Sequence, residues 1–227
     1  MKFERCILAA LALITAVFTA LKLAVVFWTT TPGNGYAFMA STGFVAMGIA
    51  GGRLQTAYAR RVLLALMACW LGDVLGAWNF IHGLAAFLSA HLLLLTAFWS
   101  QGLSGRRLLR FLAPILVATM AVIFWLFPHL PPAGYLPVSL YILAITLMLL
   151  FAFSAAHAPG GAIALLGAVL FFISDIFVAR WRYVNPSILN ALFCYPLYYT
   201  ACILFALSAW RQTKASVDNS LCPLPED

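Results

Sequence analysis

The chain has 227 residues, of which 65% are apolar and only 8% are charged. A soluble domain carries about 25% charged residues, because its surface must be covered by polar groups, so this composition excludes an ordinary soluble protein. The formal net charge of +7 is spread over short clusters between apolar stretches, which gives no reason to expect a nucleic-acid partner.

Apolar stretches of about 17 to 25 residues that end at turn residues or charges are typical of transmembrane helices. Eight such stretches are present, at residues 7–28, 36–52, 62–78, 83–99, 108–127, 135–154, 161–179 and 188–210. Most of the breaks contain glycine, proline or arginine, whereas the break at 79–82 is short and uncharged. We therefore predict an all-α integral membrane protein with about eight transmembrane helices in one domain, 1–213, followed by a flexible tail, 214–227.

The first apolar stretch resembles a signal peptide, because Lys2 and Arg5 precede it. However, it runs for about 22 residues from Ile7 to Trp28, which is longer than the apolar core of a signal peptide. We expect this stretch to be kept as a transmembrane helix.

The positions of lysine and arginine predict the orientation, since cytoplasmic loops carry an excess of these residues. With both termini in the cytoplasm, ten basic residues lie in inner segments and two, Arg180 and Arg182, lie in outer loops. The ten are Lys2, Arg5, Arg53, Arg60, Arg61, Arg106, Arg107, Arg110, Arg211 and Lys214. This bias, with no long soluble domain, is typical of a bacterial inner-membrane protein.

The sequence contains no pattern that predicts a metal site. Its five cysteines are scattered and lack CxxC spacing, and no HExxH motif is present. His82 and His91 are nine residues apart, which places them on opposite faces of one helix. We expect neither a bound metal nor a disulfide framework.

Two aspartates, Asp73 and Asp175, fall inside predicted transmembrane helices. Burying a carboxylate in the hydrocarbon layer costs at least about 2.5 kcal/mol, so such residues normally face the bundle interior and mark function. At a rise of about 1.5 Å per residue, both lie roughly 7 to 8 Å below the outer end of their helix. Lys22 reaches a similar depth. If the two carboxyl groups approach each other, one of them keeps a proton, which is the state that a general acid needs.

Two of these features also have a purely structural interpretation. Lys22 could neutralise one aspartate as an intramembrane ion pair while the other aspartate packs in its protonated form. Arg180 and Arg182 could lie on the outer side by chance. The functional alternative is that one guanidinium group binds a lipid phosphate at the headgroup level through paired hydrogen bonds.

Four stretches of the sequence resemble the YhhN-like family, the lysoplasmalogenases, and the resemblance covers most of the chain from Lys22 to Leu207. Gly72-Asp73 is followed by Phe87-x-x-x-His91, and Ser174-Asp175 comes later in the chain. The other two features are Tyr141 in the sixth helix and the stretch Tyr195-Pro196-Leu197-Tyr198-Tyr199.

The resemblance implies hydrolysis of the vinyl ether bond of a lysoplasmalogen, a lysophospholipid with one alkenyl chain, without a cofactor. It implies that Asp73 and Asp175 form an acid/base pair whose order of roles stays open. The expected positioning and substrate-binding residues are Lys22, His91, Tyr141, Ser174, Arg180, Tyr195 and Tyr198, with the polar head near Arg180. The products would be a fatty aldehyde and glycerophosphocholine or glycerophosphoethanolamine.

A proton-coupled transporter is the competing interpretation, because paired intramembrane carboxylates also serve as proton relays. The sequence shows no clearly interrupted pair of helices of the inverted-repeat kind, which argues against it. A third interpretation is a structural or assembly protein, in which the aspartates affect stability alone.

Overall fold

The structure is a computed structural model that describes residues 2–29, 32–52 and 54–221. These residues form eight α-helices and no strand, which confirms the predicted all-α class. The helices are α1 (Lys2–Thr29), α2 (Asn34–Gly52), α3 (Ala57–Gly76), α4 (Phe80–Trp99), α5 (Gly105–Leu126), α6 (Tyr135–Ala155), α7 (Gly161–Ala179) and α8 (Leu189–Leu221). A π-helical turn, Arg180–Val184, follows α7. Each predicted helix overlaps one observed helix.

The observed helices extend past several predicted ends. α1 begins at Lys2 rather than at residue 7, and α8 continues to Leu221 rather than ending at residue 210. The reason is that hydropathy marks only the apolar part of a helix, while backbone hydrogen bonding continues into its polar ends. Residues 214–221 of the predicted tail are helical, Arg53 and residues 222–227 lie outside the described residues, and the tail's flexibility stays a prediction.

The surface of the bundle is apolar. Val117 and Phe124 on α5 and Leu136 on α6 are each at least 70% exposed. Such surfaces are unfavourable in water but not in lipid, whose chains are equally apolar. Among the described helices, α1 and α4 to α8 are long and apolar enough to cross a membrane. The chain is therefore an integral membrane protein.

Three pairs of consecutive helices pack along each other: α1 with α2, α3 with α4, and α7 with α8. α2 also packs against α3 and α8, and the buried rings of Phe44, Phe171 and Phe205 lie in the core between these helices. α5 packs mainly against α6, so it lies at the edge of the bundle. This arrangement leaves a space beside α5 that is bounded by α3, α4, α6 and α7.

The short break between α3 and α4 is a tight turn. Asn79 caps α4, because its side-chain oxygen accepts hydrogen bonds from the backbone N–H groups of Ile81 at 2.9 Å and His82 at 3.3 Å. Gly76 and Gly83 face each other across the turn, and a Cβ atom on Gly83 would lie 2.6 Å from the Gly76 Cα atom. The glycines let α3 and α4 cross closely, as small residues do in membrane bundles.

Replacing Gly83 by alanine is expected to destabilise the protein by about 1 to 3 kcal/mol, since the added methyl group overlaps backbone atoms of α3. The thermal unfolding midpoint in detergent should fall. Gly105→Ala is the matched control, because a Cβ atom at the first residue of α5 would have no neighbour within 4 Å. Equal midpoints for the two variants would show that the close crossing of α3 and α4 is unimportant.

Candidate active site

A cavity of about 740 Å³ lies within the bundle, and both intramembrane aspartates line it. Its wall contains residues from all eight helices and is mostly apolar. Of the residues expected from the sequence, the cavity brings together Asp73 and Asp175 with Lys22, Tyr141, Ser174, Tyr195 and Tyr198. A largely apolar cavity with a few convergent polar groups is the usual form of a small-molecule site.

Hydroxyl groups from two other helices, α2 and α8, approach the Oδ2 atom of Asp73 on α3. The Tyr198 hydroxyl donates a hydrogen bond of 3.0 Å, and the neighbouring Tyr199 hydroxyl approaches the same oxygen at 3.5 Å. Ser41 on α2 also contacts this oxygen, and its hydroxyl lies 2.9 Å from the Ala37 carbonyl oxygen. α2, α3 and α8 therefore meet at the Asp73 carboxyl group.

Lys22 on α1 lies in the wall of the same cavity as the two aspartates. Its side chain is 5% exposed, and Nζ lies 4.0 Å from the centroid of the Tyr195 ring, a cation–π contact. The ion pair of Lys22 with one of the two aspartates, considered from the sequence, stays a prediction.

Asp175 on α7 has a different set of neighbours. The Tyr141 hydroxyl on α6 donates a hydrogen bond of 2.9 Å to Asp175 Oδ2. His91 Nε2 on α4 lies 3.4 Å from the same oxygen, and its ring is fully buried between Tyr141 and Phe171. The Phe171 ring also contacts Tyr198, so the surroundings of the two aspartates adjoin each other.

Two other expected residues have mainly positioning contacts. The Ser174 hydroxyl donates to the Phe171 carbonyl oxygen at 2.8 Å, which keeps its hydrogen within α7. The Lys22 ammonium group lies over the ring of Tyr195, and the Trp181 ring contacts the same ring edge-on. Both residues line the cavity, so they shape it beside the two carboxyl groups.

The structure places Arg182, and not the expected Arg180, at the cavity. Arg180 donates a hydrogen bond of 2.6 Å to Asn190, which in turn donates to the Asn185 and Ser187 carbonyl oxygens. Arg182 lines the cavity, with its guanidinium carbon 4.7 Å from the centroid of the Phe80 ring. Both arginines lie in the π-helical turn that follows α7, and only Arg182 of the two lines the cavity.

Two residues of this site, Ser41 and Tyr199, had no role assigned from the sequence, and of the two outer arginines Arg180 was preferred to Arg182. Ser41 lies 32 positions from Asp73, and no local pattern connects them. Tyr199 follows Tyr198 directly, and both hydroxyl groups approach the same oxygen of Asp73.

Comparison with known proteins links the chain to one family. Residues 11–209 match the sequence model of the YhhN family. Lysoplasmalogenase TMEM86B of Sus scrofa is 33% identical over 159 residues, which cover 69% of this chain and 66% of the relative. The human TMEM86B is 33% identical over 157 residues, covering 68% and 65%. Lysoplasmalogenase TMEM86A of Bos taurus is 29% identical over 173 residues, covering 72% and 70%.

The matched part spans slightly less than two thirds of the TMEM86B relatives. No solved structure matches the chain.

Proposed function

This chain belongs to the YhhN family, and we propose that it is a lysoplasmalogenase-like hydrolase that cleaves the vinyl ether bond of lysoplasmalogens. The observation that carries the proposal is the placement of Asp73 and Asp175, from two different helices, in the wall of one apolar cavity. The names of the relatives support the same activity. The products are a fatty aldehyde and glycerophosphocholine or glycerophosphoethanolamine.

The chemistry of a vinyl ether requires an acid and a base and no other group. Protonation of the β-carbon forms an oxocarbenium ion, and water adds to this ion to form a hemiacetal, which collapses to aldehyde and alcohol. One aspartic acid donates the proton, while the ionised aspartate stabilises the cation and takes a proton from water. The apolar wall excludes bulk water and strengthens both interactions.

The cavity has room for the parts of a lysolipid, since its volume of about 740 Å³ is within the common range for small-molecule sites. Val122, Leu126, Ile142 and Ile145 line it between α5 and α6, and we assign the alkenyl chain to this apolar part. Arg182, in the turn that follows α7, also lines the cavity, as do Asn34 and Pro186. We assign the phosphate to Arg182 in place of Arg180.

We further propose that all eight helices cross the membrane, with both termini in the cytoplasm of a bacterial cell. α2 and α3 contain 19 and 20 residues. At a rise of about 1.5 Å per residue, this length matches a hydrocarbon layer of about 30 Å. The ten basic residues of the inner segments support the orientation. Asp73, Asp175 and Arg182 then lie in the outer half of the membrane.

The purified protein is expected to release aldehyde from a lysoplasmalogen, measured by coupled reduction with an alcohol dehydrogenase. Matched lysophospholipids with a 1-acyl or a 1-alkyl chain should release none, because neither offers a carbon–carbon double bond that can accept a proton next to the ether oxygen. Acidification of proteoliposomes without aldehyde release would instead support the proton-coupled transporter.

A further inference from the structure

The two aspartates differ in the kind of hydrogen-bonding atom that faces them, and this difference bears on which of them is the acid. Tyr141 brings a hydroxyl donor to Asp175 Oδ2 at 2.9 Å, whereas His91 brings a ring nitrogen to it at 3.4 Å. Asp73 Oδ2 is faced by the hydroxyl groups of Tyr198, Tyr199 and Ser41.

The protonation of His91 follows from its own helix. Nδ1 lies 2.7 Å from the Phe87 carbonyl oxygen. A carbonyl oxygen only accepts hydrogen bonds, so Nδ1 must carry the hydrogen. In the neutral ring Nε2 is then an acceptor. Nε2 is buried and has no hydrogen-bond partner among the described residues.

A lone pair on Nε2 and an ionised carboxylate oxygen would repel each other at 3.4 Å. The contact becomes favourable when one proton lies between them, either on Asp175 as a carboxylic acid or on His91 as an imidazolium ion. Both descriptions contain the same number of protons. Asp175, which lines the cavity, and the fully buried His91 therefore hold one transferable proton together.

Asp73 has the surroundings of an ionised carboxylate. The Tyr198 hydroxyl donates to one of its oxygens, the Tyr199 hydroxyl approaches the same oxygen, and a carboxylate accepts several such bonds. Lys22 is buried in the wall of the same cavity, where an ammonium group is stabilised by a negative charge nearby. With Asp73 ionised and Asp175 protonated, the site has no net charge before substrate binds.

We propose that Asp175 is the general acid, with His91 as its positioning residue, and that Asp73 is the ionised carboxylate that activates water. This assignment rests on the proposed function. It decides the order of roles that the family resemblance and the cavity leave open.

The assignment gives a cycle in which every proton is accounted for. Asp175 transfers its proton to the β-carbon, the double-bond electrons form the new C–H bond, and the α-carbon becomes an oxocarbenium ion. Water adds to that carbon and loses a proton to Asp73, which gives the hemiacetal. Asp73 then protonates the glyceryl oxygen as its C–O bond breaks, and the hemiacetal hydroxyl returns its proton to Asp175. Both aspartates end as they began.

The test must account for every ionisable group near the two carboxyl groups. Those that face Asp175 are His91 on α4, Tyr141 on α6 and Cys194 on α8. Those that face Asp73 are Lys22 on α1 and, on α8, Cys194, Tyr195, Tyr198, Tyr199 and Cys202.

Tyr141→Phe and Tyr198→Phe form a matched pair for this test, because each removes one hydroxyl donor from one aspartate and keeps the ring. Loss of the donor makes that aspartate ionise at a pH about one unit higher. In a pH profile of kcat for aldehyde release, Tyr141→Phe is expected to move the alkaline limb upward, since that limb reports the acid. Tyr198→Phe should move the acidic limb upward, since that limb reports the base.

The opposite pattern, with Tyr141→Phe moving the acidic limb and Tyr198→Phe the alkaline limb, would overturn the assignment while leaving the hydrolase intact. Profiles in which neither limb moves, or in which both variants move the same limb, would also overturn it. Absence of aldehyde release by the unaltered protein would instead remove the proposed function, and the assignment with it.

His91 is tested by two substitutions that separate hydrogen bonding from packing. His91→Phe keeps a ring between Tyr141 and Phe171 but cannot accept a proton, and kcat is expected to fall on the order of 100-fold. His91→Gln loses the ring but offers a carbonyl acceptor, so kcat should fall less. If the phenylalanine variant were the more active one, His91 would act by packing and the proton-sharing role would be wrong.

Discussion

Asp175→Asn and Asp73→Asn are each expected to lower the rate of aldehyde release on the order of 10³-fold, because asparagine keeps the shape of the side chain but neither gives nor takes a proton. Both residues line the same cavity, so either substitution interrupts the same reaction. The measurement is the coupled aldehyde assay on purified protein that is monodisperse and helical by circular dichroism.

Asp218→Asn is the matched control for these variants, because Asp218 is an exposed carboxylate on α8 outside the cavity. Its rate should equal that of the unaltered protein. Retained turnover in either the Asp73 or the Asp175 variant would refute the acid/base pair. A loss of stability with normal turnover per folded molecule would support the structural interpretation instead.

Arg182→Gln is expected to raise the KM for a lysoplasmalogen by about 10- to 100-fold, which corresponds to the loss of a charged hydrogen bond to phosphate of about 1.5 to 3 kcal/mol. The kcat value should change less, because Arg182 lies about 10 Å from Asp175 along the helix, at a rise of about 1.5 Å per residue. Arg182→Lys should recover part of the affinity, since lysine keeps the charge but not the paired donors.

Two comparisons make this prediction specific. An alkenyl glycerol without phosphate should be cleaved equally well by the unaltered protein and by Arg182→Gln, because the lost interaction is with phosphate alone. Arg110→Gln, at an exposed position of α5, should leave KM unchanged. If Arg180→Gln raised KM more than Arg182→Gln did, the headgroup would lie near the arginine that was expected from the sequence.

Most of the fold could be predicted from the sequence. The break between the third and fourth helices is the one that the sequence marks least clearly. The structure nevertheless has a turn there, and Asn79 caps the helix that follows it. The helix ends were less accurate: α3 ends at Gly76, whereas the prediction extended to residue 78, and α8 continues to Leu221. Hydropathy locates the apolar part of a helix, and caps and turns decide where its hydrogen bonds stop.

The candidate site was predictable in part. Asp73 and Asp175 stood out because carboxylates are costly in an apolar layer, and this holds for any fold that crosses a membrane. Lys22 was placed at the same depth by counting residues. Arg180 was expected near the polar head, whereas in the structure it donates a hydrogen bond to Asn190, and Arg182 lines the cavity.

Hydropathy and helical rise are local properties, so the membrane class, the order of the helices and the helical positions of the two aspartates could be read from the sequence alone. Only the tertiary structure decided that Ser41, Tyr198 and Tyr199 face Asp73 while Tyr141 and His91 face Asp175. The physical reason is that the rotation of each helix about its axis depends on how it packs against its neighbours. That rotation determines which hydroxyl or imidazole group reaches each carboxyl group.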